Sequence, residues 1–254
     1  MSEITAIFID DGGVMNDNTL RAPEWRRLVG EYFSPRLGGD KHTWSEANRV
    51  VFERILPMLE VGHQAQDYVP WYDSYQVIWL REMAAYVGVP ASADDDECLK
   101  MVWDSVDYIT QHVHSAFPGV TESIKLLHTA GFTLFTSSGE HSRELDGHLK
   151  CMGVRDCFKT LYGSDLINCG KYSIEFFKRI FEHSHVIPSE ALVVDDKPQY
   201  LAWAAILGAK TCLVSTGPNQ NFEADVIVSS LAELPVALDS PHVKYNFPSF
   251  VKRD

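Results

Sequence analysis

Strand-like and helix-like segments are unevenly distributed along this chain, and that distribution limits its fold most. A short apolar run, AIFI at residues 6–9, is followed by a long stretch, 18–116, with no strand pattern. From residue 121 onwards, strand-like and amphipathic helical runs alternate. This βαβα succession predicts an α/β fold with a doubly wound, mainly parallel sheet covered by helices on both faces. The first strand finds its partners only among the later ones.

The individual segments of the second half can be assigned from their hydrophobic pattern. Strands are predicted at 132–137, 159–162, 191–194, 210–214 and 225–228, and helices at 121–131, 141–153, 174–184, 199–208 and near 230–238. The last residues, 240–254, are predicted to be an irregular tail.

The first half carries helical patterns at 44–60, 71–88 and 96–113. Because this block interrupts the α/β unit, it is predicted to be an inserted, all-helical cap. The predicted domains are therefore a core of residues 1–17 and 117–254 and a cap of residues 18–116. Loops are expected as hinges at 16–22 and 113–118, and a glycine-rich loop is expected at 34–44.

The charge and the amino-acid composition of the chain limit which binding partners are expected. The 254 residues are 45% hydrophobic, which is enough for a sizeable core, and the formal net charge is −13. Nucleic acids and anionic membranes attract clustered Lys and Arg, so neither is an expected partner. No bilayer-spanning stretch or signal-peptide pattern is found. The five cysteines lack a C-x-x-C spacing and predict reduced thiols in a cytoplasmic protein. Oligomeric state is not predicted.

Four polar stretches stand at strand ends or loops, where open α/β sheets bind ligands. In chain order they are Asp10-Asp11-Gly12-Gly13, TSSGE at 136–140, Lys171 before a helix, and Asp195-Asp196. The sheet is expected to bring them together.

These four stretches, in this order and with these elements between them, resemble the haloacid dehalogenase-like hydrolases, whose members are mostly phosphatases. The helical insert after the first stretch is similar too, as are FPGV at 117–120 and EADVIVSSLAELP at 223–235. The resemblance implies that Asp10 is a nucleophile that becomes phosphorylated during turnover. Asp11 is expected to point away from the pocket.

The resemblance also implies a phosphate-binding site. Gly12 and Gly13 would let the backbone approach the phosphoryl group, and Lys171 would neutralise its oxygens. Ser138, with Ser137 as the second choice, would donate a hydrogen bond to a phosphoryl oxygen. The backbone around Gly139, at the start of a helix, would add N–H donors. The alternatives are an exposed lysine and a serine that only caps a helix.

A metal ion is expected because the fold would gather like charges. Asp195 and Asp196 near Asp10 would repel one another unless a cation lay among them, and an all-oxygen site suits Mg²⁺. The resemblance implies that Asp10, the main-chain carbonyl of Gly12 and Asp196 bind the ion. Asp195 would bind it directly or support a ligand. The alternative is that the acid pair caps the following helix.

One expected group is missing. Most phosphatases of this family have a second aspartate two positions after the nucleophile, which serves as general acid and base, and this chain has Gly12 there. Such help is worth roughly 10²–10⁴-fold in rate. Three outcomes stay open: a substrate with a good leaving group, such as an acyl or anomeric phosphate; proton transfer by a cap residue or Asp17; or binding of phosphate compounds without turnover.

The dehalogenase branch of the family also lacks that aspartate. There Asp10 would displace halide from a 2-haloacid, with no metal. The acids at 195–196 and the lack of the branch's usual tyrosine after the nucleophile argue against it. The favoured function is a Mg²⁺-dependent phosphatase acting on a small phosphorylated metabolite.

Overall fold

A single parallel sheet organises the molecule. The computed structural model describes residues 3–62, 67–217 and 222–239. Within them six strands pair in the order β3-β2-β1-β4-β5-β6, and every neighbouring pair is parallel. The strands are β1 (Ala6–Ile9), β2 (Thr133–Ser137), β3 (Phe158–Tyr162), β4 (Ala191–Asp195), β5 (Lys210–Val214) and β6 (Val226–Val228). The chain winds outward from β1 in both directions, which confirms the predicted doubly wound α/β fold.

Helices occupy most of the remaining described chain. Four follow β1 in succession, with no described strand between them: α1 (Asn18–Leu37), α2 (Lys41–Gly62), α3 (Tyr68–Val87) and α4 (Asp95–Thr110). The others alternate with the strands: α5 (Val120–Thr129), α6 (Ser142–Cys151), α7 (Ile174–Ser184), α8 (Pro198–Ile206) and α9 (Leu234–Leu238).

Side chains of β1 alternate between two cores, as the two-residue period of a strand requires. Ile7 and Ile9 pack with apolar residues of α5, α6 and α9. Ala6 and Phe8 pack on the opposite face with those of α7 and α8. The sheet is therefore covered on both sides, and successive residues beyond Ile9 are directed to different layers.

The first four helices share a separate apolar core, which includes Phe33, Trp44, Trp79, Met83 and Val102. Among the described residues, no helix is long and apolar enough to cross a membrane. All five cysteines are free thiols. The predicted irregular tail, 240–254, lies outside the described residues.

Two sequence-based loop predictions are wrong for most of their length. Helix α1 starts at Asn18, where the carboxylate of Asp17 caps it by accepting the Thr19 N–H at 2.7 Å, so the expected hinge at 16–22 is mostly helical. The expected loop at 34–44 is reduced to 38–40. Two prolines inside α1, Pro23 and Pro35, interrupt its helical pattern in the sequence.

Candidate active site

The centre of the site is a buried lysine held between two carboxylates. Lys171 Nζ donates to Asp10 Oδ1 at 2.8 Å, to Asp195 Oδ2 at 2.6 Å and to the Ser137 carbonyl at 2.5 Å. The sheet brings the two acids together because Ile9 of β1 lies opposite Val194 of β4. Asp10 directly follows Ile9, and Asp195 directly follows Val194. Lys171 comes from the loop that leads into α7, on the face that Phe8 also occupies.

Burial dominates the electrostatics of this group. It raises the pKa of Asp10 to about 7, although Lys171 opposes the shift, and the neighbouring charge of Asp195 adds to it. Burial likewise raises the pKa of Asp195 against the effect of Lys171. Burial would lower the pKa of Lys171, but the two carboxylates outweigh it and raise that pKa. The ammonium group therefore stays charged and stabilises negative charge beside it.

A third acid completes a set of oxygens that could hold a metal ion. One carboxylate oxygen each from Asp10, Asp195 and Asp196 lies within 4.8 Å of the others. Asp196 Oδ2 also accepts from Lys197 Nζ at 2.6 Å, and Asp195 Oδ1 accepts the Lys197 N–H at 2.8 Å. Hard oxygen donors fit Mg²⁺, and a divalent cation would offset their repulsion. The carbonyl of Gly12 remains a predicted ligand.

The two glycines that follow Asp10 and Asp11 have different surroundings. Gly13 has φ +89°, and a Cβ there would lie 2.7 Å from Asp196 Oδ2, so a side chain is excluded both by conformation and by space. A Cβ at Gly12 would lie 3.0 Å from Arg21 Nη2 and 3.1 Å from the Asn18 amide. Two α1 side chains thus occupy the space next to Gly12.

The two serines near the end of β2, Ser137 and Ser138, differ in their alignment with Asp10 and in their hydrogen bonds. Ile9 pairs with Thr136, so the next residue, Ser137, aligns with Asp10. The Ser137 hydroxyl is buried and has no hydrogen-bond partner among the described residues, while its carbonyl receives Lys171. Ser138 Oγ accepts the Glu140 N–H at 3.3 Å. The geometry therefore favours Ser137 over Ser138 as the donor to a phosphoryl oxygen.

Asp11, which is expected from the sequence to point away from the pocket, lies in a second charged group. Its Oδ2 accepts from Arg21 Nη1 at 2.5 Å and its Oδ1 from Asn16 Nδ2 at 2.7 Å. Arg21 Nη2 also pairs with Glu140 Oε1 at 2.7 Å. Burial raises the pKa of Asp11, but Arg21 and further hydrogen bonds outweigh it and hold that pKa below its usual value.

Helix α6 adds two ionisable residues to this second group. Burial raises the pKa of Glu144 to about 7, and Glu144 accepts from Tyr72 Oη at 2.9 Å. Burial lowers the pKa of His148 to about 4, so its ring is neutral near pH 7. Sequence analysis missed this group because Arg21 fell in a predicted hinge. Of the residues around Arg21, Glu140 belongs to TSSGE, one of the four polar stretches found in the sequence.

A cavity of about 520 Å³ lies between the first four helices and α6. Apolar walls come from residues such as Trp25 and Trp79, and charged groups from Arg21, Glu140 and Glu144. Because Arg21 also lies next to Gly12, the cavity adjoins the strand end that carries Asp10.

The site thus gathers a carboxylate, a buried lysine and an acid pair at the carboxyl ends of a parallel α/β sheet, the edge at which such sheets bind ligands. The family model of haloacid dehalogenase-like hydrolases matches residues 48–214. The chain belongs to this family.

Individual relatives are distant. A phosphoglycolate phosphatase of Vibrio vulnificus (strain YJ016) is 28% identical over 123 residues, 46% of this chain and 54% of the relative, so the match spans about half the length of that relative. The structure of the L-2-haloacid dehalogenase PA0810 matches with TM-score 0.65 and 18% identity over 92% of this chain and 98% of that chain. The HAD-hydrolase YfnB from Bacillus subtilis, bound to magnesium, matches with TM-score 0.62 and 16% identity over 94% and 100%. At such identities the two structures establish the fold.

Proposed function

We propose that this hydrolase is a Mg²⁺-dependent phosphatase that acts on a small phosphorylated metabolite through an aspartyl-phosphate on Asp10. The observation that carries the proposal is the Lys171 ammonium, 2.8 Å from Asp10 and 2.6 Å from Asp195, with Asp196 beside them. A cation fixed at a buried nucleophile compensates the charge that an incoming phosphoryl group brings. The similarity to a phosphoglycolate phosphatase supports a phosphate ester as the substrate.

Each side chain has one task in the proposed reaction. An Asp10 oxygen attacks phosphorus, and the bond to the leaving oxygen breaks. Lys171 orients Asp10 and stabilises the phosphoryl oxygens, and the Ser137 hydroxyl donates to one of them. When bound, Mg²⁺ would be held by Asp10, Asp195, Asp196 and the Gly12 carbonyl, and it would offset the negative charge of the phosphoryl group. Water then hydrolyses the aspartyl-phosphate and regenerates Asp10.

The cap and the cellular setting belong to the same proposal. Residues 18–116 act as a cap that selects the substrate above a core of residues 1–17 and 117–254. Free cysteines fit a reducing compartment, and we place the enzyme in the cytoplasm. Its partner is a small molecule rather than a nucleic acid or a membrane.

A 2-haloacid dehalogenase is the second candidate, because dehalogenases are among the structures with the same fold and position 12 carries no acid. In that reaction Asp10 would displace halide and form an ester. The three clustered carboxylates favour the phosphatase, since they suit a divalent cation that halide displacement does not require. A third candidate, suggested by Gly12, is a phospholigand-binding protein with little or no turnover.

One assay separates the three candidates. Wild-type protein and the Asp10→Asn variant are incubated with p-nitrophenyl phosphate, sugar phosphates, acyl phosphates and 2-chloropropionate, each with and without Mg²⁺. We expect Mg²⁺-dependent release of phosphate that Asp10→Asn abolishes. Halide release without Mg²⁺ would identify the dehalogenase, and tight binding without turnover would identify the binding protein.

A further inference from the structure

Position 12 lacks the expected acid, but a carboxyl group from another part of the chain is linked to it through Arg21. Arg21 Nη2 lies 3.0 Å from the point where a Cβ of residue 12 would stand, and the same nitrogen lies 2.7 Å from Glu140 Oε1. One guanidinium nitrogen therefore connects the empty position to a carboxyl group. That carboxyl group belongs to the residue two positions after Ser138 at the end of β2.

We propose that Glu140 is the proton-transfer group of the reaction and replaces the acid that Gly12 lacks. The inference rests on the proposed phosphatase function.

The placement of Glu140 suits this role. Its N–H donates to Ser138 Oγ, which ties it to the strand end that carries the predicted phosphate-binding hydroxyls. Its side chain is 24% exposed and lines the cavity beneath the first four helices. Oε1 is held by Arg21, whereas Oε2 is buried and receives no N–H or O–H donor among the described residues, and a proton on the Glu140 carboxyl would be shared with the adjacent Asp11. The carboxyl group of Glu140 therefore lies where the cavity meets the strand ends, on the side from which a leaving oxygen would enter.

Burial, helped by two neighbouring acids, favours the protonated form of Glu140. Two acids, Asp11 and Glu140, share the guanidinium of Arg21, a third acid, Glu144, lies nearby, and the ring of His148 is neutral. Burial raises the pKa of Glu140 well above its ordinary value; Arg21 opposes the shift, and Asp11 and Glu144 add to it. Tyr72 of α3 faces the same group through its hydrogen bond to Glu144. A general acid must hold a proton before it acts, and a raised pKa is the direction that this role requires.

Other candidates for the same role are engaged elsewhere. The Asp17 carboxylate accepts both the N–H and the hydroxyl of Thr19 at 2.7 Å and caps α1, and these hydrogen bonds lower its pKa. Glu144 accepts from Tyr72. His148 is a poor proton donor near pH 7, because burial keeps its ring neutral.

The proton balance of the reaction is complete with Glu140 alone. As the bond from phosphorus to Asp10 forms and the bond to the leaving oxygen breaks, the proton of Glu140 passes to that oxygen. In the second step the Glu140 carboxylate takes a proton from water while the water oxygen attacks phosphorus. Inorganic phosphate leaves, the Asp10 carboxylate is regenerated and Glu140 is protonated again.

The test compares two phosphate esters in wild-type protein and in Glu140→Gln. An alkyl phosphate releases a strongly basic oxygen and needs a general acid, whereas p-nitrophenyl phosphate releases a weakly basic one and does not. We expect kcat/KM of Glu140→Gln to fall by roughly 10²–10⁴-fold for the alkyl phosphate and by less than about threefold for p-nitrophenyl phosphate. With p-nitrophenyl phosphate the variant should release a burst of one p-nitrophenolate per active site, because its second step lacks a base.

Two further variants show whether the effect belongs to Glu140. Glu31→Gln is the matched control, since Glu31 also pairs with an arginine, Arg27, at 2.7 Å but lies outside the cavity lining, and it should leave both rates unchanged. Adding Gly12→Asp to Glu140→Gln should restore at least about tenfold of the alkyl phosphate rate. Circular dichroism and Tm verify the fold of each variant.

The outcomes separate this inference from the function on which it rests. Equal losses for both esters in a folded Glu140→Gln protein, or the leaving-group pattern in Glu144→Gln instead, would overturn the role of Glu140 and leave the phosphatase intact. A wild-type protein that turns over no phosphate ester would overturn the phosphatase, and the inference with it.

Discussion

Asp10 and Asp11 are adjacent in the chain, yet they belong to different charged groups. Asp10 shares the Lys171 ammonium with Asp195 on the face of α7 and α8, and Asp11 shares the Arg21 guanidinium with Glu140 on the face of α6. Each group therefore places one cation between two acids. A strand that directs successive side chains to opposite faces can build two sites from two consecutive residues.

The cations of the two groups, Lys171 and Arg21, differ in shape and in the number of acids they can bind at once. Lysine is a compact charge that can stay beside a nucleophile while substrate oxygens arrive, whereas the planar arginine fork fixes two carboxylates at once. On the Asp10 side a third acid and Gly13 leave a site for an ion. On the Asp11 side the arginine comes from α1, so the first four helices contribute directly to the site. We expect nucleophilic attack and ion binding to depend on the first group, whereas in the second group Asp11 contributes mainly to stability and Glu140 to proton transfer.

The largest expected difference lies between Asp10→Asn and Asp11→Asn. The first removes the nucleophile and should lower kcat by about 10⁴-fold or more with little change in Tm. The second weakens the partner of a buried guanidinium and should cost about 1.5–3 kcal/mol of stability while activity stays within roughly tenfold. Steady-state kinetics measure the activity of both variants, and urea unfolding measures their stability. Equal losses of activity in the two variants would contradict the prediction.

The two serines provide the next comparison. Ser137→Ala removes the buried hydroxyl aligned with Asp10 and should lower kcat/KM about 10²-fold. Ser138→Ala removes a hydroxyl that accepts from a backbone N–H and should lower it by less than about threefold. The reverse order would return the phosphate-binding role to Ser138.

Gly13→Ala tests the ion site next to Asp10. The new Cβ would meet the Asp196 carboxylate, and we expect the Mg²⁺ concentration for half-maximal activity to rise about tenfold. Gly208→Ala is the matched control, because Gly208 has φ +96° with no atom within 4 Å of its Cβ position. Both variants should lose about 1–2 kcal/mol of stability from backbone strain. A similar Mg²⁺ requirement in the two would contradict the placement of Asp196 at the ion.

The smallest effect is expected from Glu144→Gln on the Asp11 side. Burial raises the pKa of Glu144 from 4.5 to about 7, so the folded state binds a proton more tightly than the unfolded state, and wild-type stability falls as pH rises between those values. Glutamine cannot ionise and still accepts from Tyr72. At pH 8 the Tm of the variant should be roughly 2–4 °C above that of wild type. At pH 4 the two Tm values should be equal. Thermal unfolding at both pH values decides, and an equal shift at both would refute a titration effect.

Much of the core was predictable because its periodicities are local. The strand at 210–214 and the helix at 174–184 were placed at their observed ends, since runs such as KTCLV and IEFFKRIFEHS carry an unbroken pattern. Helix α1 was not, because prolines interrupt its pattern and its first turn depends on the Asp17 cap.

The site was predictable where strand ends supply its residues. Asp10 and Asp195 could be brought together because each stands at the end of a strand of one parallel sheet, whereas the place of Lys171 beside them was implied by the family resemblance. Choosing between Ser137 and Ser138 required the register of β1 and β2, which is set by pairing across the sheet. The group around Asp11 required a contact between α1 and α6 that no spacing in the chain expresses.

The most direct test of the account is the detection of a phosphoryl group on Asp10. Wild-type protein mixed with p-nitrophenyl phosphate and Mg²⁺ is quenched in acid within its turnover time, digested and analysed by mass spectrometry. The account predicts the phosphoryl mass on the peptide that contains Asp10, and its absence from the Asp10→Asn protein. Phosphate release without that modification, or with the modification on another residue, would contradict it.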